Sequence, residues 1–309
     1  MSNAAPSCGP DVHLVTLGTP ALVEHGAPIP LRKKDLALLV YLRLEGRHGH
    51  SRGALAGLLW GNVREENARH SLTQALVRLR ARLGDVVQVG HGRVGCSATL
   101  ACDAASLQAA AAAAEVDDGV LALCAGEFLA GFGAGAGAEA FESWADGRRA
   151  HLRTVAATAL DRLGADAEER GDWDRALAAG QRAVEVDPAS EPAHRRVMRA
   201  WNAQGHRVRA LQHFDRLSAW LAAEFETDPE PETALLAEQL RSRAALAPRP
   251  RPEPAASLPR RPEPEPATSW LPRPRLRAKP PAHRRVPILH WAWGGVAGVA
   301  VLLAVLWNS

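Results

Sequence analysis

The sequence predicts a mainly α-helical protein: two folded parts within its first 246 residues, then a proline-rich linker and one transmembrane helix. Three observations predict it. Helix-length apolar segments between residues 33 and 83 end in a glycine-turned hairpin. The stretch 150–246 is almost continuously helical in pattern and repeats a phrase at a spacing of 34 residues. Val286–Trp307, 22 residues long, contains no Asp, Glu, Lys or Arg and follows a stretch dense in proline.

Taken in order, residues 12–31 read as short strands, with turns at Gly18-Thr19-Pro20 and Gly26. Lys33–Glu45 is a nearly unbroken run of Leu, Val and Ala around Tyr41 and predicts a helix stopped by Gly46. A second helix follows Ser51, which has the hydroxyl of an N-cap, and carries Leu55, Leu58, Leu59 and Trp60 to Gly61. A third is predicted from Asn62, spaced from Glu65 as a capping box, with Leu72, Leu76, Leu79 and Leu83 on one stripe and Gly84 at its end. Val86–Val89, the turn Gly90-His91-Gly92-Arg93 and Val94–Ser97 read as a hairpin. Three helices between a small sheet and a hairpin make a winged helix-turn-helix, expected over 12–100.

Charge supports a polyanionic partner for this part. Residues 31–93 hold 12 Lys+Arg against 5 Asp+Glu, a net +7, whereas 94–138 carry −5 and 139–246 carry −4. Double-stranded DNA is the expected partner. With the leucine stripe inward, His70, Gln74, Val77 and Ala81 point outward, flanked by Thr73 and Arg78. Gln and Arg read adenine and guanine edges bidentately, and small residues let a helix enter the groove closely. Arg69, Arg80 and Arg82 sit nearer the edges and suit phosphates. Arg93, on the hairpin turn, is placed to enter the minor groove. Trp60 and Tyr41 are expected in the core rather than as stacking platforms.

Residues 31–85 also resemble a known family. LRKKDLALLVYL, LAGLLW and ARHSLTQALVRLR are similar to the three motifs of the DNA-binding domain of SARP-family bacterial transcriptional activators, an OmpR/PhoB-type winged helix. Gly61-Asn62 departs from the proline and acid that commonly follow the tryptophan there. Gly126–Phe132 and Phe141–Trp144 resemble the entry to the bacterial transcriptional activator domain, and Asp228-Pro229-Glu230-Pro231-Glu232-Thr233 resembles its closing phrase. The resemblance implies sequence-specific DNA binding and activation of transcription, with RNA polymerase as a partner.

The second part is expected over 101–246. Asp103–Ala114 reads as a helix and Gly131–Gly137 as a flexible loop. Gly171-Asp172-Trp173-Asp174-Arg175-Ala176-Leu177 recurs as Gly205-His206-Arg207-Val208-Arg209-Ala210-Leu211, the tetratricopeptide period. Helices are predicted over 152–170, 173–186, 190–204, 207–224 and 231–246, with Trp144, Trp173 and Trp201 as packing residues of the repeats. Such stacks offer concave surfaces for protein partners, here a second copy in a homodimer or the polymerase.

Residues 248–287 contain 13 prolines among Arg, Glu and Ala, so 247–285 is expected to be a disordered spacer. The apolar span 286–307 has Trp291 and Trp293 near one end and Trp307 at the other, and Arg273–Arg285 are strongly basic. At ~1.5 Å per residue the span matches a hydrocarbon core of ~30 Å, and its basic flank orients the preceding residues to the cytoplasm of an inner, single-pass membrane. Gly294 and Gly298 form a G-x-x-x-G pair suited to helix dimerisation.

No catalytic constellation is legible: there is no phosphate-binding G-x-x-x-x-G-K-[ST] and no receiver-type acidic cluster. Cys8, Cys96, Cys102 and Cys124 lack metal-ligand spacing, so no metal, no cofactor and no enzyme is expected. The alternative reading is a tetratricopeptide-like scaffold at the membrane whose winged helix binds protein rather than DNA.

Overall fold

The computed structural model describes residues 12–45 and 49–246. The predicted linker 247–285, the predicted span 286–307 and the helix-stopping Gly46 lie outside the described residues. Among the described residues no helix is long and apolar enough to cross a membrane.

The chain begins with β1 (Val12–Val15), β2 (Ala21–Glu24) and β3 (Ala27–Ile29), an antiparallel meander. Alternation decides which side packs: Val12 and Leu14 are buried while His13 is exposed. Then come α1 (Lys33–Glu45), β4 (His50–Ser51), α2 (Arg52–Trp60) and α3 (Glu65–Leu83). Ser51 caps α2 as expected, its hydroxyl accepting the Ala54 amide at 3.2 Å. The capping box at α3 does not form. The helix starts two residues later than that box requires, after Arg64, with no side-chain cap. The leucine stripe of α3 is buried throughout, with no member more than 3% exposed.

A short 3-10 turn (Gly84–Val86) leads into β5 (Val87–Gly90) and β6 (Arg93–Cys96). The hairpin loop is only His91-Gly92, tighter than the four-residue turn expected, and both residues have positive φ (49° and 76°), as a type I′ turn requires. β4 pairs with β6, His50 opposite Val94 and Ser51 opposite Arg93, so the start of α2 is tied to the wing.

The chain crosses the expected boundary at residue 100 within one sheet. β7 (Ala101–Cys102) adds to the N-terminal sheet in parallel with β1, giving the order β3-β2-β1-β7. Asp103 then locks this edge: its carboxylate accepts the Thr16 amide (2.8 and 2.9 Å), the Thr16 hydroxyl and the Leu17 amide (2.9 Å). α4 (Asp103–Ala112) and a short α5 (Gly119–Leu123), which the sequence reading missed, follow.

The glycine-rich loop 131–137 is anchored rather than a flexible connector. The Gly137 carbonyl accepts the Gly61 amide at 2.8 Å, the Ala136 carbonyl accepts Lys34 Nζ at 2.8 Å, and Ala134 and Ala138 are buried. The loop thus packs on the turn between α2 and α3.

Five helices complete the described chain: α6 (Glu139–Arg170), α7 (Trp173–Val186), α8 (Glu191–Ala203), α9 (Arg207–Phe225) and α10 (Pro231–Leu246). Four lie within a residue or so of their predicted limits; α6 starts thirteen residues before its predicted position. The 34-residue repeat is visible in the backbone. Gly171 and Gly205 both turn with positive φ (72° and 81°), and Ala176 and Ala210, five residues on, are both fully buried. α6 is long because its first turns serve the winged helix. Phe141, Ala145 and Leu152 are buried in a core continuous with Leu38, Leu42 and Leu59. Trp144 packs edge-on against Tyr41, with centroids 4.9 Å apart, and its indole N–H donates to Glu45 at 3.1 Å. It is therefore a seam residue, not a repeat residue. Tyr41 and Trp60 pack against the same core.

The closing phrase 228–233 has a physical role. The Glu191 carboxylate accepts the Glu230 amide at 2.9 and 3.0 Å, and Arg195 reaches both Glu230 (2.6 Å) and the Thr233 hydroxyl (2.9 Å). This pins the start of α10 to α8.

Candidate nucleic-acid interface

The leucine stripe fixes the rotation of α3, and the opposite face is open. Arg69, His70, Thr73, Gln74, Val77, Arg80 and Ala81 are all exposed, Val77 at 63%. Spacings of three, four and seven residues put them on one face. Local bonds order part of it. Thr73 Oγ1 donates to the Arg69 carbonyl at 2.9 Å. The Gln74 amide nitrogen lies 2.8 Å from His70 Nε2, one turn away. Arg69 pairs with Glu65 on the same helix. Both members are well exposed, so the pair contributes little.

Arg78 is placed differently from the expectation. Its Nε and Nη2 each donate at 2.7 Å to the two oxygens of Asp35 in α1. The Asp35 side chain is only 3% exposed, against 34% for Arg78. These hydrogen bonds raise the Arg78 pKa further above its ordinary value. A bidentate fork to a buried carboxylate satisfies a charge that cannot otherwise be buried. Arg78 thus joins α3 to α1 and does not present its fork freely. Arg82 lies on the flank and pairs with Glu24 of β2 at 2.8 Å, both half-exposed.

Arg93 opens β6 rather than occupying the turn. It is exposed, and its Nη2 donates to the Gly49 carbonyl at 2.7 Å. This bond, with the pairing of Arg93 opposite Ser51, ties the start of β6 to the segment before α2.

The sequence reading missed Asp35 and Glu24. Asp35 carried a signal: a carboxylate inside an apolar helical run needs a cationic partner. Among the described residues no group of three or more His, Cys, Asp or Glu is arranged to hold a metal ion. Cys102 and Cys124 are buried, and burial raises both thiols, Cys124 to about 11.

The helical part has its own polar centre. His194 Nε2 lies 2.9 Å from the Pro188 carbonyl and His194 Nδ1 lies 2.8 Å from His213 Nε2. A carbonyl only accepts, so the His194 proton sits on Nε2 and His213 donates through its own Nε2. Burial lowers both pKa values, that of His213 to about 4, with the neighbouring His194 adding to the effect.

With this layout in place, the helical part is recognisable. Residues 97–241 match the family model of the bacterial transcriptional activator domain. The activator-domain match starts one residue after β6 ends and takes in β7, α4 and the Asp103 lock, so it overlaps the N-terminal sheet. Among curated proteins, none matches the chain. Among solved structures, Mycobacterium tuberculosis EmbR in complex with a low-affinity phosphopeptide is similar at 20% sequence identity and a TM-score of 0.55. The match covers 75% of this chain and 65% of that one. The match identifies residues 97–241 as similar to that domain, and the shared structure supports the fold.

Proposed function

We propose that the chain is a membrane-tethered, sequence-specific DNA-binding transcriptional regulator that acts as an activator. The observation that carries this reading is the exposed face of α3, with His70, Thr73, Gln74 and Val77 opposite a buried leucine stripe and next to a wing. A helix with such a face fits the major groove, where Gln reads adenine edges and a small apolar residue meets the thymine methyl. Arg69, Arg80, Arg82 and Arg93 take phosphates or the adjoining groove, and the net charge of +7 over 31–93 draws the polyanion. Arg78 holds the helix in place from behind.

The activator domain, net negative over 139–246, is unsuited to phosphates. Its role in this reading is protein contact, in a homodimer and with RNA polymerase. The action is binding alone, without a catalytic step. The membrane tether rests on the sequence: the charge-free Val286–Trp307, its tryptophans and its basic flank support a single inner-membrane pass with the folded part in the cytoplasm.

Selection from a pool of random duplexes tests the reading. The full chain is expected to enrich a defined sequence. Absence of enrichment, together with capture of a protein through the α3 face, would replace it with the scaffold reading.

A further inference from the structure

A cavity of about 530 Å³ lies where the N-terminal sheet, the α5 region and helices α6 and α7 meet. Its size falls within the ordinary range for small-ligand sites. Leu107, Leu123, Phe128 and Leu152 supply apolar walls. Leu17 closes one side, bridged to Phe128 through the backbone. Cys124, in the same lining, is buried, and burial pushes its thiol up to about 11.

Glu127, Glu185 and Asp187 line the same cavity, and so do three arginines: Arg149, Arg153 and Arg182. Each has a carboxylate neighbour. Arg153 bonds Glu127 at 2.6 Å, Arg149 pairs with Asp146 and lies 3.7 Å from Glu127, and Arg182 bonds Glu185 at 2.5 Å. The acids lie farther out than their partners at the two inner positions. Glu185 is 62% exposed against 30% for Arg182, and Glu127 is 49% exposed against 24% for Arg149. An ion pair with an exposed acid is weak, and that acid can turn to water without being buried. An incoming acid that brings its own apolar body gains the same fork and buries hydrocarbon as well. A second cavity of similar volume is lined by Arg162, Arg170 and Arg175 and by Glu115, Asp117, Asp166 and Glu169.

We propose that the cavity is a binding site for a small amphipathic acid, its hydrocarbon against Leu107, Leu123, Phe128 and Leu152 and its carboxylate on Arg182 and Arg149. Such a ligand touches the N-terminal sheet through Leu17 and the repeats through α7 at once. The assignment does not depend on DNA binding.

The test uses the full-length protein and a photoreactive diazirine analogue of octanoic acid as probe. Saturable labelling is expected on peptides covering 123–128, 149–156 and 182–188. Octanoate should compete at least tenfold better than octanol or octylamine. Arg182→Gln and Arg149→Gln, both on partly exposed side chains, should each reduce labelling at least fivefold while leaving the far-ultraviolet circular dichroism unchanged. Labelling that does not saturate, or that falls only on residues 286–307, would overturn the site. Equal competition by octanol or octylamine would overturn the acidic headgroup. Sequence enrichment from random duplexes is read separately, so failure of one assignment leaves the other standing.

Discussion

At the residue scale, two neighbours on one helix are assigned opposite work. Gln74 is exposed and Arg78 is tied to a buried acid. Gln74→Ala should cost ~1–3 kcal/mol at a single base pair and leave the fold unchanged. Arg78→Ala should instead destabilise the protein by about 3 kcal/mol, because Asp35 is left buried and unpaired. Asp35→Leu with Arg78→Met should recover most of that loss, seen as the urea midpoint. If Arg78→Ala relaxed specificity at one position with no loss of stability, the roles would be reversed. The leucine stripe made the exposed face legible from sequence, since 3.6-residue periodicity fixes which side is out. It said nothing of Arg78, because a flank position turns inward or outward according to what stands on α1. The histidine pair gives a second outcome at this scale. The native His213 titrates near 4 against 6.5 for a free ring, so between those values the unfolded chain binds a proton that the folded one does not. Stability therefore falls as pH drops from 6.5 toward 4 and is indifferent to this ring above that window. His213→Gln should flatten the acid side of a plot of urea midpoint against pH; an unchanged plot would contradict the assignment.

At the scale of elements, the sequence marked helix ends well where chemistry forces them. Gly171 and Gly205 stop helices with positive φ, and Ser51 caps α2. It failed where an element answers to a distant neighbour. α6 starts at Glu139 because Phe141, Trp144 and Ala145 pack on the winged helix, a partnership that the local 34-residue repeat does not encode. Residues Gly131–Gly137 read as flexible from composition, yet bonds from the Gly61 amide and the Lys34 ammonium to their carbonyls hold them. The consequence is that the seam is part of one core. Trp144→Ala, which removes the Tyr41 contact and the Glu45 hydrogen bond, should cost about 3 kcal/mol. Calorimetry should show a single transition moving down as a whole. Two transitions, with only the repeat part shifted, would show the seam to be dispensable.

At the scale of the whole molecule, the charge distribution divides the labour. Positive charge concentrates in residues 31–93 and again in 247–309, each with a net +7, and the activator domain between them is negative. Composition alone made that division legible, whereas the sharing of one core across residue 100 needed the long-range pairing of β1 with β7. Truncation after Ala247 should move the protein from the membrane fraction to the soluble one; retention in the membrane would contradict the tether. The central claim is that the α3 face and the wing hold DNA, and the affinity of residues 1–247 for an enriched duplex, measured across salt concentrations, tests it most directly. A linear fall of log affinity with log salt is predicted, with a slope of about −0.9 per phosphate neutralised. Arg69→Ala, Arg80→Ala and Arg93→Ala should each reduce that slope by about one without changing the preferred sequence. Absence of duplex binding at low salt, or a slope untouched by all three substitutions, would contradict it.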